Sequence, residues 1–162
     1  MKAKASTSTL DLETLPGHYI RRLQQIAVSV FLQETEQHGL TPVQYSALQG
    51  IANSPGIDQR TLARTIGFDT STIASVIDRL EARVLVLRSA SPTDKRVRLL
   101  TLTDEGRAVL VAVVPSMLRA QVRMLEPLPK ADRKEFMRML RVLVSTNNDR
   151  SRAPGGAPAQ GL

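Results

Sequence analysis

The sequence contains no cysteine and no tryptophan. Without cysteine there can be no disulfide, no thiolate nucleophile, no zinc–cysteine site and no thiol redox sensor. The two histidines lie far apart in the sequence, and no pattern indicates a cofactor, so we expect neither a metal nor a cofactor. Acidic residues are scattered among basic ones, and no glycine-rich phosphate loop is present. The sequence therefore predicts that the protein is not an enzyme.

Aromatic residues and long apolar runs are also scarce. Aromatics make up 3% of the chain, which is too few for a base-stacking platform and disfavours single-stranded nucleic acid or RNA as a partner. No apolar run approaches the roughly 20 residues of a membrane span. The first residues lack the apolar core of a secretory signal. We therefore expect a cytoplasmic protein without membrane contact.

Positive charge, in contrast, is abundant. The chain has 22 Lys and Arg against 15 Asp and Glu, which gives a formal net charge of +7. A basic chain favours an anionic partner, and nucleic acid is the commonest one. A merely soluble basic protein has the same charge, but with so few aromatics the favoured partner is duplex DNA.

The 162 residues are enough for one domain with short appendages. Residues 1–14 are polar and 150–162 are rich in Ala, Pro and Gly, so we expect a disordered N-terminal arm and a disordered tail. Apolar residues recur every three or four positions through much of 15–149. This pattern predicts a mainly α domain of about six helices with a two- to three-stranded β-wing.

Three helix starts are well marked. Thr41, Pro42 and Gln44 have the spacing of a capping box with proline at the first helical position. Asp58 and Thr103 are the N-cap residues predicted for the third and fifth helices.

The third and fourth helices are short and joined at Gly67, which is typical of a helix-turn-helix. Apolar residues line one side of the fourth helix. The other side carries small hydroxyl residues and one arginine, and such a face can approach base edges closely. A solvated helix face is the alternative interpretation. The predicted contacts on this helix are Thr70, Ser71, Thr72, Ser75 and Arg79.

A predicted β-hairpin with a basic tip follows the fourth helix. Asp94 and Arg96 could form an exposed salt bridge, which would contribute little. Alternatively, Asp94 orients Arg96, and the guanidinium enters a narrow minor groove of negative potential. The predicted DNA contacts on the hairpin are Arg88, Asp94, Lys95, Arg96 and Arg98.

From about Leu15 to Val144 the sequence resembles the MarR (multiple antibiotic resistance regulator) family of transcription factors. The resemblance depends above all on the run Asp-Lys-Arg-Val-Arg-Leu-Leu-Thr-Leu-Thr-Asp-Glu-Gly at 94–106. It implies a homodimer in which dimerisation helices at 15–38 and 104–146 interlock. It also implies a DNA-binding lobe at 40–103, with the fourth helix in the major groove. The family's usual DNA-contacting positions fall on Ser71, Thr72, Ser75, Arg79, Asp94 and Arg96.

The start of the first helix resembles family members that control the breakdown of aromatic compounds. Such members are released from DNA by an aromatic acid or its coenzyme A thioester. His18 and Arg22 lie one helical turn apart, and with Tyr45 they could surround a small carboxylate. Alternatively, His18 and Arg22 pair across the dimer or face solvent.

One position departs from the family pattern. The family usually has glycine after Leu-Glu-x-Arg, but here Val84 follows Arg83. Glycine suits a left-handed helix end, which a β-branched residue tolerates badly. We expect either a different helix end or a strained turn, which leaves the wing orientation open.

The favoured function is a homodimeric, ligand-responsive repressor of transcription that binds a pseudo-palindromic operator in double-stranded DNA. Two alternatives remain at this point. A ligand-independent architectural DNA-binding protein would bind random and operator duplexes equally. A winged-helix module that binds protein would show no salt-dependent DNA binding.

Overall fold

The computed structural model describes residues 11–151. The predicted disordered arm and tail therefore lie largely outside the described residues. Of the predicted arm, the structure describes Leu12–Thr14 as a 3-10 turn, in which the Asp11 carboxylate accepts the Glu13 N–H at 3.0 Å. Two more 3-10 turns, Glu36–His38 and Asn148–Arg150, follow the first and the last α-helix.

The described residues form six α-helices and three β-strands, which confirms the predicted fold class. The helices are α1 (Pro16–Thr35), α2 (Pro42–Asn53), α3 (Gln59–Thr65), α4 (Thr70–Ala82), α5 (Asp104–Leu125) and α6 (Lys130–Asn147). The strands are β1 (Ile57–Asp58), β2 (Val86–Ala90) and β3 (Arg98–Leu102).

The predicted helix starts are confirmed. At α2, the Thr41 hydroxyl accepts the Gln44 N–H at 3.3 Å and the Gln44 side chain accepts the Thr41 N–H at 3.0 Å. Asp58 accepts the Thr61 N–H at the start of α3. These bonds satisfy backbone donors that have no partner within their helix. The local sequence alone therefore fixes where these helices begin.

The sheet has the antiparallel order β1-β3-β2. In β2 and β3, Val86 lies opposite Leu102 and Ala90 opposite Arg98. The very short β1 adds a third strand by pairing Ile57 with Leu100. The sheet thereby connects the start of α3 to the base of the hairpin.

One hydrophobic core holds α2, α3, α4 and the sheet together. Its fully buried large residues include Leu48, Ile51, Leu62, Ile73, Ile77, Leu80 and Leu100. Leu110 and Val113 of α5 belong to the same core. The first turns of α5 are therefore packed on the lobe, and the predicted boundary at 103/104 is not a break in packing.

Beyond Val113, α5 packs against α1. Ser116 and Ala120 are buried. Farther along, Glu34 of α1 forms ion pairs with Arg119 at 3.3 Å and Arg123 at 3.1 Å. Hydrogen bonds from Arg123 and Arg119 hold the pKa of Glu34 below its usual value. This ion-pair cluster fixes α1 against α5.

Many apolar side chains on α1, α5 and α6 are exposed in the single chain. Examples are Ile20, Val111, Leu118, Val122, Met139 and Leu143. No residue of α6 is buried, although its apolar pattern predicts a helix that buries Phe136, Met139, Leu140 and Leu143. Apolar surface of this extent is typical of an interface with another chain.

By length and composition alone, α5 is also apolar enough to cross a membrane. The stretch between its charged residues Arg107 and Arg119 is nevertheless shorter than the roughly 20 residues of a membrane span. Packing of its first half on the lobe and pairing of Arg119 and Arg123 with Glu34 attach it to the rest of the domain instead.

Candidate nucleic-acid interface

The fourth helix divides into a buried and an exposed face. Ile73, Val76, Ile77 and Leu80 are buried against the lobe. The predicted contact residues all lie on the exposed side: Thr70, Ser71, Thr72, Ser75 and Arg79. The two-residue turn before α4 contains Gly67 with φ of +72°, a conformation that glycine adopts readily. This turn sets the angle at which α4 leaves α3.

The first turn of α4 is organised around Asp69. Its carboxylate accepts the Thr72 N–H at 2.8 Å, the Thr72 hydroxyl at 2.6 Å and the Ser71 hydroxyl at 2.5 Å. These hydrogen bonds, that from Ser71 first, hold the pKa of Asp69 well below its usual range. Asp69 is therefore a charged N-cap beside two of the predicted contact residues. Asp69 itself is not among the DNA contacts predicted from the sequence.

The tip of the wing is shaped by Ser91 and Asp94. The buried Ser91 hydroxyl lies 3.0 Å from the Thr93 hydroxyl and accepts the Thr93 N–H at 3.3 Å. The Asp94 carboxylate accepts the backbone N–H of Arg96 at 2.9 Å. Within residues 11–151 the Arg96 guanidinium has no ion-pair partner. Asp94 thus acts on the backbone of the tip, which leaves the guanidinium of Arg96 free to contact an anion.

Lys95, Arg98 and Arg79 are exposed as well. In the part of the chain that the structure describes, none of them forms a salt bridge. Together with Arg96 they give the wing tip and α4 a positive charge that is not compensated locally.

Arg88 is positioned differently from the other predicted contacts. Its guanidinium forms ion pairs with Asp78 and, at 3.3 Å, with Glu81, both on α4. Its side chain is 23% exposed, and its Nε is buried without a hydrogen-bond partner among the described residues. The arginine is on the predicted strand, but two carboxylates neutralise it. These ion pairs join the wing to α4, and the predicted contact of Arg88 with DNA would have to compete with them.

The junction between α4 and the wing contains the expected strain. Val84 has φ of +58° and is the one non-glycine residue with positive φ among residues 11–151. The Val84 N–H donates to Glu81 O at 2.8 Å, and the Leu85 N–H donates to Leu80 O at 2.9 Å. This is the complete Schellman motif that glycine usually forms. The wing therefore keeps the usual helix end, and valine adopts an unfavourable conformation there.

The other end of the wing depends on a close approach. The Thr103 hydroxyl donates to Val84 O at 2.7 Å and accepts the Gly106 N–H at 2.8 Å. A Cβ at Gly106 would lie 2.0 Å from the backbone oxygen of Leu85. Only glycine permits α5 to begin this close to the end of α4.

The lobe contains two further arginines that were not among the predicted contacts. Arg60 and Arg64 are exposed on α3, one helical turn apart. Neither has an ion-pair partner within the described part of the chain. Both arginines lie on one face of α3, the helix that precedes the proposed recognition helix α4. This spacing could have identified them as candidate phosphate contacts.

The three predicted effector residues do not meet within one chain. The Tyr45 ring packs on Phe31, with ring centroids 5.9 Å apart, and burial raises the pKa of Tyr45. Arg22 and His18 lie nearer the start of α1. With a rise of about 1.5 Å per residue, Arg22 is about 14 Å from Phe31 along the helix axis, and His18 is farther away.

An open groove lies instead at the junction of α1 and α2. Its volume is about 430 Å³, and it is lined by Leu32, Gln33, Thr35, Glu36, Gly39, Leu40 and Thr41. Beside it, the Arg83 guanidinium donates to Gly39 O at 2.8 Å and His38 O at 3.3 Å. Arg83 thus connects the end of the recognition helix to the end of the α1 region. The sequence analysis missed this contact between residues far apart in the sequence.

A helix-turn-helix with an exposed hydroxyl and arginine face, followed by a β-hairpin wing with a free basic tip, defines a winged-helix DNA-binding protein. The chain belongs to the MarR family. The family model described as MarR family matches residues 40–97. The transcriptional regulator HosA of Escherichia coli O127:H6 is 33% identical over 129 residues, covering 80% of this chain and 94% of that protein.

Solved structures lead to the same family. The PcaV transcriptional regulator from Streptomyces coelicolor, in complex with its natural ligand, is 35% identical with a TM-score of 0.77, covering 85% of this chain and 97% of that one. The repressor CouR, bound to a 23-mer DNA duplex, is 33% identical with a TM-score of 0.77, covering 85% and 99%. Bordetella bronchiseptica BpsR, whose DNA binding is regulated by 6-hydroxynicotinic acid, is 29% identical with a TM-score of 0.79, covering 84% and 97%.

Proposed function

We propose that this protein is a homodimeric transcriptional repressor that binds operator DNA and is released by a small aromatic acid or its coenzyme A thioester. The observation that carries the proposal is the exposed polar face of α4 next to a wing tip whose arginine is free. The DNA-bound CouR relative and the acid-regulated BpsR relative support the two halves of the proposal. The function is carried out in the cytoplasm and involves no catalysis.

In this proposal α4 enters the major groove. Ser71, Thr72 and Ser75 contact base edges, with Thr70 at the margin, and Arg79 contacts a base or phosphate. The wing tip, with Asp94 shaping it, directs Arg96 into a flanking minor groove, and Lys95 and Arg98 contact phosphates. Arg60 and Arg64 of α3 add phosphate contacts.

The exposed apolar faces of α1, α5 and α6 form the dimer interface. A two-fold dimer holds two copies of α4 at a fixed separation, so it binds a pseudo-palindrome with half-sites about one helical turn apart. Because α5 is packed on both the lobe and α1, a shift between the two α5 helices changes that separation.

For the effector we keep His18, Arg22 and Tyr45 as the candidate residues. Because no hydrogen bond or ring contact joins Tyr45 to His18 or Arg22 among the described residues, we place His18 and Arg22 of the partner subunit beside Tyr45 in this site. A carboxylate between them would favour one dimer arrangement over another, and an effector acts only through such unequal affinity.

Replacement of Arg96 tests the wing contact. We expect Arg96→Ala to weaken operator binding by about 1–3 kcal/mol, because a free guanidinium is lost from the minor groove. Fluorescence anisotropy with an operator selected from genomic fragments measures the change. Arg138→Ala is the matched control, because this exposed arginine on α6 pairs with Glu135 and lies outside the lobe. Unchanged affinity in Arg96→Ala would refute the wing contact.

A further inference from the structure

The first turn of α4 contains more hydrogen bonding than a helix cap requires. An N-cap carboxylate normally accepts the backbone N–H two or three residues later, as Asp69 does from Thr72. Asp69 also accepts both neighbouring hydroxyls, from Ser71 at 2.5 Å and Thr72 at 2.6 Å. The additional bonds fix the orientation of two side chains on the face proposed to meet the bases.

A hydroxyl group has one hydrogen to donate and two lone pairs that accept. Since the hydrogens of Ser71 and Thr72 point to Asp69, only acceptor lone pairs remain for a partner outside the protein. Both residues are exposed, so these lone pairs are available. The carboxylate is itself an acceptor. Asp69, Ser71 and Thr72 thus form a patch at the N-terminal end of α4 whose side chains accept hydrogen bonds and donate none outward, while the exposed Thr70 hydroxyl beside the patch can still donate.

Turning a hydroxyl around would remove a strong bond. Hydrogen bonds to an ionised carboxylate are shorter and stronger than those between neutral groups. The lowered pKa of Asp69 keeps the carboxylate charged throughout the pH range in which duplex DNA is stable. The acceptor state of the two hydroxyls is therefore the favoured one when DNA approaches.

The cap of α3 provides an internal comparison. Asp58 accepts the Thr61 N–H at 2.9 Å and the Thr61 hydroxyl at 2.6 Å, so it makes the same cap with one hydroxyl. Thr61 is half-buried, whereas Ser71 and Thr72 are exposed on the recognition helix. The two caps stabilise their helices in the same way, but only one of them presents oriented hydroxyls to the outside.

We infer that Asp69 is a specificity-determining residue, which holds Ser71 and Thr72 as acceptors so that this end of α4 selects bases carrying an exocyclic amino group. Those groups are adenine N6 and cytosine N4, the hydrogen-bond donors of the major groove. Guanine and thymine present acceptors there, and an acceptor facing an acceptor is unfavourable. The inference depends on the proposed function, since it requires that α4 lie in the major groove.

Base analogues that lack one amino group test the inference. In the selected operator, each adenine of a half-site is replaced in turn by purine and each cytosine by 2-pyrimidinone, and affinity is measured at constant salt. For wild-type protein we expect a loss of about 5- to 50-fold at one or two positions. The position that responds shows whether the partner is adenine N6 or cytosine N4.

The matched variants are Asp69→Asn and Asp58→Asn. Asparagine remains a good N-cap, because its Oδ1 still accepts the Thr72 N–H and the Ser71 hydroxyl. Its amide replaces Oδ2, donates to the Thr72 hydroxyl oxygen and turns the Thr72 hydrogen outward. We expect Asp69→Asn to lose the response to the missing amino group at the base that Thr72 contacts, with less than about 2-fold change there. Asp58→Asn has the same chemistry on α3 and should respond as wild type does.

Three results would contradict the inference. Asp69→Asn could discriminate as strongly as wild type, or wild type could bind the operator with no response to any missing amino group. In both cases the proposed repressor would stand, and the role of Asp69 would be rejected. If wild-type protein bound no operator at all, the proposed function would fail together with the inference.

Discussion

The DNA-binding lobe and the helical arms of this protein differ in how completely one chain covers them. In the lobe, residues such as Leu48, Ile77 and Leu100 are fully buried. On the arms, formed by α1, the second half of α5, and α6, residues such as Val122 and Leu143 are more than half exposed. Both regions have the apolar periodicity of a packed helix, but only the lobe has its packing partners within the chain.

The difference indicates which region depends on a second chain. A lobe with its own core keeps its recognition helix and wing in place without help. The arms hide their apolar surface only by association, which makes their stability depend on protein concentration. The site is therefore built by one chain, whereas the separation between two sites is set by two chains.

The largest loss of stability is expected from a substitution in the lobe, at Gly106. Gly106→Ala would place a Cβ 2.0 Å from Leu85 O, a backbone atom that cannot move away easily. We expect a loss of more than about 4 kcal/mol in the free energy of unfolding, at any protein concentration. Urea unfolding followed by circular dichroism measures this.

Gly17→Ala is the control for this substitution. Gly17 lies on α1, and a Cβ there has no atom within 4 Å. Alanine in a helix should leave stability unchanged or raise it by up to about 1 kcal/mol. A Gly106→Ala protein that unfolded like wild type would show that the lobe does not depend on this contact.

A charged substitution on a helical arm tests whether the arms form the dimer interface. Leu143 of α6 and Leu87 of β2 are both 53% exposed in the single chain. We expect Leu143→Glu to weaken dimerisation by about 100-fold or more, because an unpaired charge would be buried in the interface. Leu87→Glu should leave the dimer intact. Sedimentation over a range of concentrations distinguishes them, and a dimer unaffected by Leu143→Glu would remove α6 from the proposed interface.

A smaller effect is expected where the lobe is strained. Val84→Gly should raise the free energy of unfolding by about 1 kcal/mol, since glycine adopts the left-handed conformation of Val84 without steric cost. Ala108→Gly, at an exposed helical position of α5, should lower it by about 1 kcal/mol. Thermal unfolding of the two variants measures both changes. A destabilised Val84→Gly protein would mean that the valine side chain contributes more than its backbone conformation costs.

Much of the fold could be predicted because its signals are local. Thr41 and Gln44 form their capping box within four residues, and Asp58 and Thr103 act as caps over the same short range. The strain at Val84 could also be anticipated, because a left-handed helix end follows from the Schellman motif. The family resemblance implied the homodimer and the placement of α4 in the major groove.

Some contacts could not be predicted, because the local sequence does not determine them. Arg88 has the same position in the pattern as the other basic wing residues, but Asp78 and Glu81 neutralise it once β2 lies beside α4. Arg83 contacts Gly39 across 44 residues. The apolar pattern of α6 predicted a buried helix face, but within a single chain no residue of α6 is buried. Such outcomes depend on tertiary packing and assembly.

The contact residues stay a prediction. Arg96 and the α4 hydroxyls are all exposed, as the proposed interface needs. For His18, Arg22 and Tyr45, the proposed common site uses the partner subunit.

The most direct test of the account is a titration of wild-type protein against the selected operator and a shuffled duplex at the same salt, with and without an aromatic acid that stabilises the free protein. We expect two chains bound per operator, weaker binding to the shuffled duplex, and release from the operator by the acid. Equal binding to both duplexes, unaffected by every acid or thioester that binds the protein, would contradict this expectation.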